Sequence, residues 1–421
     1  MYYKRGIELG NIMRVIFFIT LVMLLFSGCP LRNNETSSLK ETSPTTNAEK
    51  SSEDFKLTPC KFPEDYPVRV LSAEVDPIYK DMLIPREKGW LGSDDAHSIP
   101  LSNKKILWLF GDTPIGVIKD GKRVMNNPYD FINNCIAIQD LTVSPSNNVE
   151  FFWKSNEGKP SSFFPHQEGT AGNYYWPTMG TILNNELFIF CYPVEPPINI
   201  PDTVLIRIPN PQEPPLQWIQ KAYDLKLGNV HQGFHSAIFI EKPYLYCLGY
   251  DDPNGVVSER RTVLARVKIA DLLAGRLGDA YEFWVDGDKG PQWGSEPKNL
   301  VTLFEPGVTE TGIQYIKEWG LFICITYQAE EPHIYITTAT SLTGPWSKPV
   351  CIYHITEHNL PFNIMSYAVR PHPELSTKPG ELILTYATSP VWEDLDKMYD
   401  KEGLSLYYPR FLRVQLELGP K

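Results

Sequence analysis

The chain has 421 residues and carries 50 Asp and Glu against 39 Lys and Arg, a formal net charge of −11. This acidic balance argues against a nucleic-acid partner, because such binding depends on the neutralisation of phosphates by basic side chains. Proline occurs 37 times, above its usual share of about 5%, and long amphipathic helical patterns are scarce. Many short apolar runs lie between Gly, Pro, Asn and Asp clusters, so the sequence predicts an all-β domain.

The first 29 residues are typical of an export signal rather than of the fold. Lys4, Arg5 and Arg14 precede an apolar run at 15–26, which is short for a membrane span and ends at small residues. The ending Leu-Leu-Phe-Ser-Gly-Cys29 resembles a bacterial lipobox, although Phe is less common than Leu at its place. We therefore expect a lipoprotein signal peptide with lipidation at Cys29. An ordinary signal peptide that happens to contain a cysteine is the alternative.

Residues 30–58 lack apolar periodicity and cannot bury a core. We expect them to form a flexible tether between the lipid and the folded domain at 59–421. The length of that domain alone would allow two units, but β folds of this size can be single. The signal and the tether together predict a monomer that is lipid-anchored in the bacterial cell envelope, at the periplasmic face of the outer membrane or at the cell surface.

Two short β-runs within residues 90–112 predict a hairpin that turns at 102–105. If the hairpin folds about Asn103, Asp94 or Asp95 comes opposite Asp112. Directly opposed residues of an antiparallel pair have Cβ atoms roughly 4.5–5.5 Å apart, and two ionised carboxylates at that distance repel each other. A carboxyl pair about 5 Å apart is the geometry of retaining glycoside hydrolysis. The alternative is that one acid caps a turn.

The same hairpin recurs four more times along the chain. The five copies begin near Ser98, Gly180, Ser236, Gly312 and Ala368, and uneven loops separate them. Such a repeat predicts a five-bladed β-propeller, in which each copy supplies the two innermost strands of one blade. A two-sheet sandwich is the competing all-β architecture, but it does not explain the five-fold recurrence.

The helical segment and the cysteines of the sequence do not indicate a functional site. The segment 269–277 is the one stretch that predicts a short helix. Cys191, Cys247 and Cys324 lie inside apolar strands, where free cysteine behaves as a small hydrophobe. No CxxC spacing occurs, so we predict no metal site, and a disulfide involving Cys60 or Cys351 remains open.

The residues just before each first strand should converge on one mouth of the propeller. Acids, imidazoles and aromatic rings around a single mouth suit a sugar, which has a polar edge and apolar faces. Packing in the core or at the rim is the alternative for most individual members. The converging side chains are Asp94, Asp95, His97, Tyr175, Trp176, His231, His235, Glu310, Tyr367 and Arg370, and Asp112 joins them from a return strand.

Several segments resemble a bacterial family of five-bladed propellers long described as a domain of unknown function, some members of which are endo-D-arabinanases. The resemblance covers most of residues 88–415. It rests on Gly92-Ser-Asp-Asp-Ala-His-Ser-Ile-Pro-Leu, on Tyr175-Trp-Pro, on Val308-Thr-Glu-Thr-Gly-Ile-Gln-Tyr and on Tyr367-Ala-Val-Arg-Pro-His-Pro-Glu-Leu. The segment Ser-Leu-Thr-Gly-Pro-Trp-Ser at 341–347 is similar to one common in arabinanase-like propellers and supports the fold more than a substrate. The three-acid pattern of the classical arabinanases is not recognisable, since Trp176 stands where a second acid is expected.

The resemblance implies that two aspartates of the first blade are catalytic, and they match Asp94 and Asp112. Asp95 is an extra acid that leaves this assignment uncertain by one position. In the resulting reading, Asp94 is the nucleophile or general base, Asp112 is the general acid, and Glu310 modulates charge or takes the acid role. The sugar would be held by Asp95, His97, Trp176, His235, Tyr367 and Arg370.

The sequence thus predicts a glycoside hydrolase for furanoside-containing, arabinan-like glycans that needs no cofactor. A non-catalytic glycan-binding lipoprotein that uses the same mouth is the alternative, and a protein-interaction scaffold is a third reading. Fold alone does not choose among them, because function depends on the site.

Overall fold

The structure is a computed structural model that describes residues 60, 62–101, 104–127, 130–143, 148–196, 198–229, 231–328 and 331–419. The predicted signal peptide, the lipidation site at Cys29 and the tether lie outside the described residues. Within the described part, no helix is long and apolar enough to cross a bilayer.

Short antiparallel strands make up most of the regular structure of the described residues. The first part of the chain contains β1 (Val68–Val75), β2 (Lys88–Trp90), β3 (His97–Pro100), β4 (Lys105–Phe110), β5 (Thr113–Lys119), β6 (Lys122–Val124), β7 (Phe131–Ile132), β8 (Cys135–Asp140), β9 (Val149–Phe152), β10 (Lys154–Asn156), β11 (Lys159–Ser161), β12 (Tyr174–Leu183), β13 (Glu186–Val194), β14 (Val204–Ile208) and β15 (Lys221–Asp224). The second part contains β16 (Gln232–Glu241), β17 (Tyr244–Asp251), β18 (Arg261–Lys268), helix α1 (Ile269–Leu273), β19 (Tyr281–Gly287), β20 (Gly290–Gly294), β21 (Gly312–Ile316), β22 (Leu321–Tyr327), β23 (His333–Ala339), β24 (Val350–His354), β25 (Ile364–Pro371), β26 (Glu381–Pro390) and β27 (Arg410–Leu418).

Five of the sheets are the blades of a propeller, as predicted. Blade I is β3-β4-β8-β9, blade II is β12 to β15 in order, blade III is β16 to β20, blade IV is β21 to β24, and blade V is β25-β26-β27-β1. The innermost strands contact one another in sequence, β3 with β12, β12 with β16, β16 with β21 and β21 with β25. Blade V returns to blade I, where His372 Nδ1 lies 2.6 Å from Ser98 Oγ. This ring excludes the sandwich.

The inner strands are apolar because neighbouring blades cover both of their faces. Strand β13 shows the pattern, since every residue of Leu187–Val194 is buried. A run of Leu, Phe, Ile and Cys is typical of a strand packed on both sides. Cys191, Cys247 and Cys324 are buried as free thiols, as predicted.

The predicted helix is shorter than its sequence pattern. Helix α1 ends at Leu273, whereas the pattern continued to residue 277. Gly275 adopts a φ of +73°. This left-handed conformation commonly ends helices, because glycine enters it without a steric penalty from a Cβ atom.

The two ends of the described chain meet in blade V. Strand β1 pairs with β27 from Val68↔Leu418 to Val75↔Leu412. Ahead of β1, Cys60 forms a disulfide with Cys351 at the start of blade IV's outer strand. The disulfide therefore fixes the chain to blade IV just before it enters blade V.

Two additions to the repeat lie next to blade I. One is the small sheet β2-β5-β6, with β7 paired to β5. The other is the connection 391–407 between β26 and β27, which we call the blade V loop. Arg123 of β6 is buried and ties the two together through main-chain oxygens. These acceptors are Leu91 O, Met398 O, Gly403 O and Leu406 O.

Candidate active site

Asp94 and Asp112 face each other across the open end of the blade I hairpin. The register pairs His97 with Leu109 and Pro100 with Ile106, and continuing it outward places residue 94 opposite residue 112. Asp94 N donates to Asp112 O at 3.1 Å. The predicted opposition of these two acids is therefore present.

The Asp94 carboxyl accepts a hydrogen bond on each oxygen. Tyr367 Oη donates to Oδ1, and Tyr407 Oη donates to Oδ2 at 3.2 Å. Burial, followed by the charge of Asp112, raises the pKa of Asp94 well above its ordinary value, although the two tyrosine hydrogen bonds act in the opposite direction. Burial also raises the pKa of both tyrosines, so each keeps its proton and remains a donor.

The Asp112 carboxyl has an asymmetric environment. Trp176 Nε1 and Asn133 Nδ2 donate to its Oδ1 at 3.0 Å and 3.2 Å. Its Oδ2 is buried and has no hydrogen-bond partner. Burial raises the pKa of Asp112 from 3.8 to about 7. This carboxyl is therefore suited to hold a proton at neutral pH.

The two aspartates share one proton more easily than they carry two charges. Each carboxyl accepts two hydrogen bonds, but Asp94 accepts one on each oxygen, whereas both donors to Asp112 reach Oδ1 and leave the buried Oδ2 free to carry a proton. This geometry favours the proton on Asp112, although burial and the charge of its partner raise the pKa of Asp94 as well. Two acids in such unequal environments are the usual basis for dividing acid and base roles.

Glu310 joins the same cluster from blade IV. Its Oε2 accepts from Tyr327 Oη at 2.5 Å and from Thr309 Oγ1 at 2.7 Å. Burial is the main cause that raises its pKa. The Glu310 charge also contributes to the raised pKa of Asp94, so both of the other predicted acids act on Asp94.

Asp95 and Arg370 differ from the predicted sugar-binding role. Arg370 is 0% exposed and forms an ion pair with Asp95, with Nη2 2.6 Å from Oδ2. Its Nη1 donates to Ser236 O at 2.6 Å and to Thr311 O at 2.9 Å. The pair therefore joins blades I, III, IV and V near the axis. Buried groups that are already hydrogen-bonded within the protein have little capacity left for a sugar.

His235 and His97 also lie in the interior. The His235 ring stacks on Phe190 at 4.0 Å between centroids, and its Nε2 lies 3.1 Å from Tyr281 Oη. A β-bulge between Phe234 and Ala237 turns this histidine inward. His97 is 7% exposed, and burial lowers its pKa well below the ordinary value. The positions of both rings favour structural roles over sugar contact.

Trp176 and Tyr367 remain candidates for sugar contact. Both are half-buried, and each also donates to one of the paired aspartates. They combine an aromatic surface with a direct contact to the acids.

Sequence reasoning missed Tyr407 and Asn133. Tyr407 belongs to the blade V loop and reaches Asp94 and Asp112 O with its hydroxyl. It has a φ of +58°, unusual for an aromatic residue. No repeat pattern includes this loop, so the hairpin copies could not reveal it. Asn133 lies between β7 and β8, and no pattern in the sequence singles it out.

Among the described residues, no group of three or more His, Cys, Asp or Glu is arranged to hold a metal ion. The chemistry that the site offers comes from three interacting carboxyls with raised pKa values and from tyrosine and tryptophan donors. Such a set can give one proton to a leaving group while another carboxylate activates water or attacks carbon.

The fold also occurs in solved structures. A protein from Bacteroides ovatus ATCC 8483 described as a "putative hydrolase" aligns with a TM-score of 0.66 and 18% identity, over 86% of this chain and 97% of the other. A GH43_1 enzyme from Xanthomonas citri aligns with a TM-score of 0.46 and 9% identity, over 80% and 91%. An alpha-L-arabinofuranosidase from Lactobacillus brevis gives 0.44 and 11%, over 81% and 92%. The first match supports the fold, and the other two are too distant to carry an argument.

Family membership rests on sequence. No curated protein matches the chain. The model of a family described as "Domain of unknown function (DUF5005)" matches residues 76–416. That span includes every acid of the cluster and all five blades except β1 and the last two residues of β27. The chain therefore belongs to the DUF5005 family.

Proposed function

We propose that this protein is a glycoside hydrolase that cleaves furanoside-containing, arabinan-like glycans. The observation that carries the proposal is the Asp94–Asp112 pair, in which Asp94 accepts a hydrogen bond on each oxygen and the buried Asp112 keeps one oxygen free. A fold does not bring two carboxyls together in this way for stability, because each raises the free-energy cost of ionising the other.

The surroundings of the three carboxyls suggest which catalytic role each one has. Asp94 is ionised and acts as the nucleophile or general base, held in place by Tyr367 and Tyr407. Asp112 carries the proton and acts as the general acid. Glu310 adjusts the charge of the cluster or takes the acid role. Trp176 and Tyr367 offer aromatic surfaces to the sugar.

This division of roles predicts how activity depends on pH. The general acid must be protonated, so the rate should fall as the pH rises through about 7, the pKa of Asp112. The nucleophile or base must be ionised, so the rate should also fall at low pH. A bell-shaped profile of kcat/KM, with its alkaline limb near 7, is the expected result.

The direct test is hydrolysis of a panel of arabinans, galactans and synthetic furanosides by the wild type. Asp112→Asn should lose about 10²–10⁴ in rate, the usual cost of a missing proton donor. Asp140→Asn, at the end of β8 in the same blade, is the matched control and should retain full activity. Binding of these glycans without hydrolysis would instead favour a glycan-binding protein that uses the same mouth.

The proposed location is the bacterial cell envelope, with a lipid on Cys29. The Cys60–Cys351 disulfide supports it, since disulfides persist in oxidising compartments outside the cytoplasm. In a detergent phase-partition experiment, Cys29→Ser should move the protein from the detergent phase to the aqueous phase. A wild type found wholly in the aqueous phase after export would contradict the anchor.

A further inference from the structure

We infer that a pocket on blade III is a second glycan-binding position, which takes a neutral glycosyl unit of the chain that the acid cluster cleaves. This inference rests on the proposed function and extends it to the length of the substrate. The pocket has a volume of about 460 Å³ and lies at the point where β16 begins and β17 ends. Small-molecule sites usually measure about 300–1,000 Å³.

The floor of the pocket is preorganised by a buried carboxylate. Asp251 Oδ1 accepts from Gln232 Nε2 at 2.8 Å, and its Oδ2 accepts from Arg261 Nε at 2.7 Å. The Asp251 side chain is 4% exposed, whereas that of Arg261 is 30% exposed. The guanidinium is therefore fixed in direction while part of it still faces the pocket, and fixed donors of this kind select hydroxyl-rich ligands.

The charges of the pocket balance. Arg261 is paired with Asp251, and Lys298 lies 2.6 Å from Glu296. Pro253, Pro297 and Leu300 supply apolar surface beside these polar groups. A neutral sugar, with hydroxyls on its edge and CH groups on its faces, matches this combination better than a uronic acid does.

The pocket and the acid cluster lie at the same face of the propeller. Gln232 begins the inner strand of blade III, and Glu310 lies just before the inner strand of blade IV. Tyr250, the residue before Asp251 at the end of β17, pairs with Gly233, the residue after Gln232. The Glu310 charge is among the causes that raise the pKa of Tyr250, so this buried ring is close to the cluster. Because the pocket and the cluster lie at the same face, a glycan bound at the acids can continue along the mouth toward the pocket.

The test measures how affinity depends on substrate length. Asp112→Asn protein is titrated by calorimetry with arabino-oligosaccharides of two to six units, and the wild type is assayed for hydrolysis of the same series. Affinity should rise about ten-fold or more from the shortest to the longest member. When added to the Asp112→Asn protein, His231→Trp should fill the pocket and remove the rise of affinity with length, and Lys298→Ala should reduce that rise. Glu241→Trp, an exposed residue at the other end of β16, is the matched control and should keep the gain.

The outcomes separate the two proposals. Equal affinity for all lengths, a gain that survives both pocket variants, or no binding by any oligosaccharide would overturn the pocket assignment. Hydrolysis by the wild type combined with equal affinities would leave the hydrolase proposal standing and refute the pocket. Length-dependent binding that the pocket variants remove, without any hydrolysis, would support the pocket and refute the hydrolase.

Discussion

Replacing Asp112 by Asn should stabilise the protein at alkaline pH while it abolishes turnover. The side chain keeps its shape, and the new Oδ1 still accepts from Trp176 and Asn133. The amide cannot ionise, so the folded variant never holds a buried charge at this position. Removal of the carboxyl that we propose as the general acid thus removes a source of instability.

The size of the effect follows from the pKa of Asp112. Burial raises it from 3.8 to about 7 in the folded protein, and each pKa unit is worth about 1.4 kcal/mol. A raised pKa means that the folded state binds the proton more tightly. The stabilisation is therefore complete below about pH 4 and is lost as the pH rises through about 7. Between pH 4.5 and pH 8, the difference in unfolding free energy between variant and wild type should widen by about 3 kcal/mol in favour of the variant.

The assay is urea unfolding, followed by tryptophan fluorescence at several pH values between 4.5 and 8. Asp140→Asn serves as the control. Hydrogen bonds from Thr142 lower the pKa of Asp140, so its stabilisation is lost only at more acidic pH and its difference from the wild type should stay constant. If the Asp112→Asn and wild-type curves also stay parallel, the carboxyl has an ordinary pKa and the assignment of the shared proton is wrong.

Three further predictions concern the surroundings of the acids. Tyr407→Phe should lower kcat about ten-fold or more with little change in melting temperature, because it removes one hydrogen bond to Asp94, the proposed nucleophile or base. An unchanged kcat would refute this role. Arg370→Met should lower the free energy of unfolding by about 3–5 kcal/mol, since it leaves the charge of Asp95 buried without a partner. A variant that unfolds at the same urea concentration as the wild type would contradict the stabilising role of the Arg370–Asp95 ion pair. Cys351→Ser should lower the free energy of unfolding by about 2–5 kcal/mol and leave Cys60 open to alkylation under native conditions. Equal alkylation of Cys60 in the wild type would refute the disulfide.

The sequence was sufficient for the repeat and for the hairpin register. Counting outward from the predicted turn paired residue 94 with residue 112, and the structure has the same pairing. It was not sufficient to choose between Asp94 and Asp95, because that choice depends on Arg370 of blade V, which is distant along the chain. Asp95 has a φ of +54°, so it lies outside the regular strand geometry on which the predicted hairpin register depends.

The inward positions of His235 and Arg370 on the inner strands have a common physical cause. A β-bulge interrupts the inner strands of blades II, III and V, near residues 177–179, 234–237 and 367–370. A bulge adds a residue to one strand and changes which face the following side chains occupy. His235 and Arg370 lie within or at the end of such bulges, and both point into the interior rather than toward the mouth. A strict two-residue alternation cannot anticipate this.

The pairing of β1 with β27 has a consequence for how the molecule is made. Blade V cannot be completed until the last strand has been synthesised, because its outermost strand comes from the beginning of the chain. Blades I to IV are each built from one continuous segment, so they can form early, while closure of the ring waits for a contact between distant parts of the chain. Pairing of this kind is slow to form, and until then the edge of β27 that β1 will cover is unpaired, which is a hazard for aggregation.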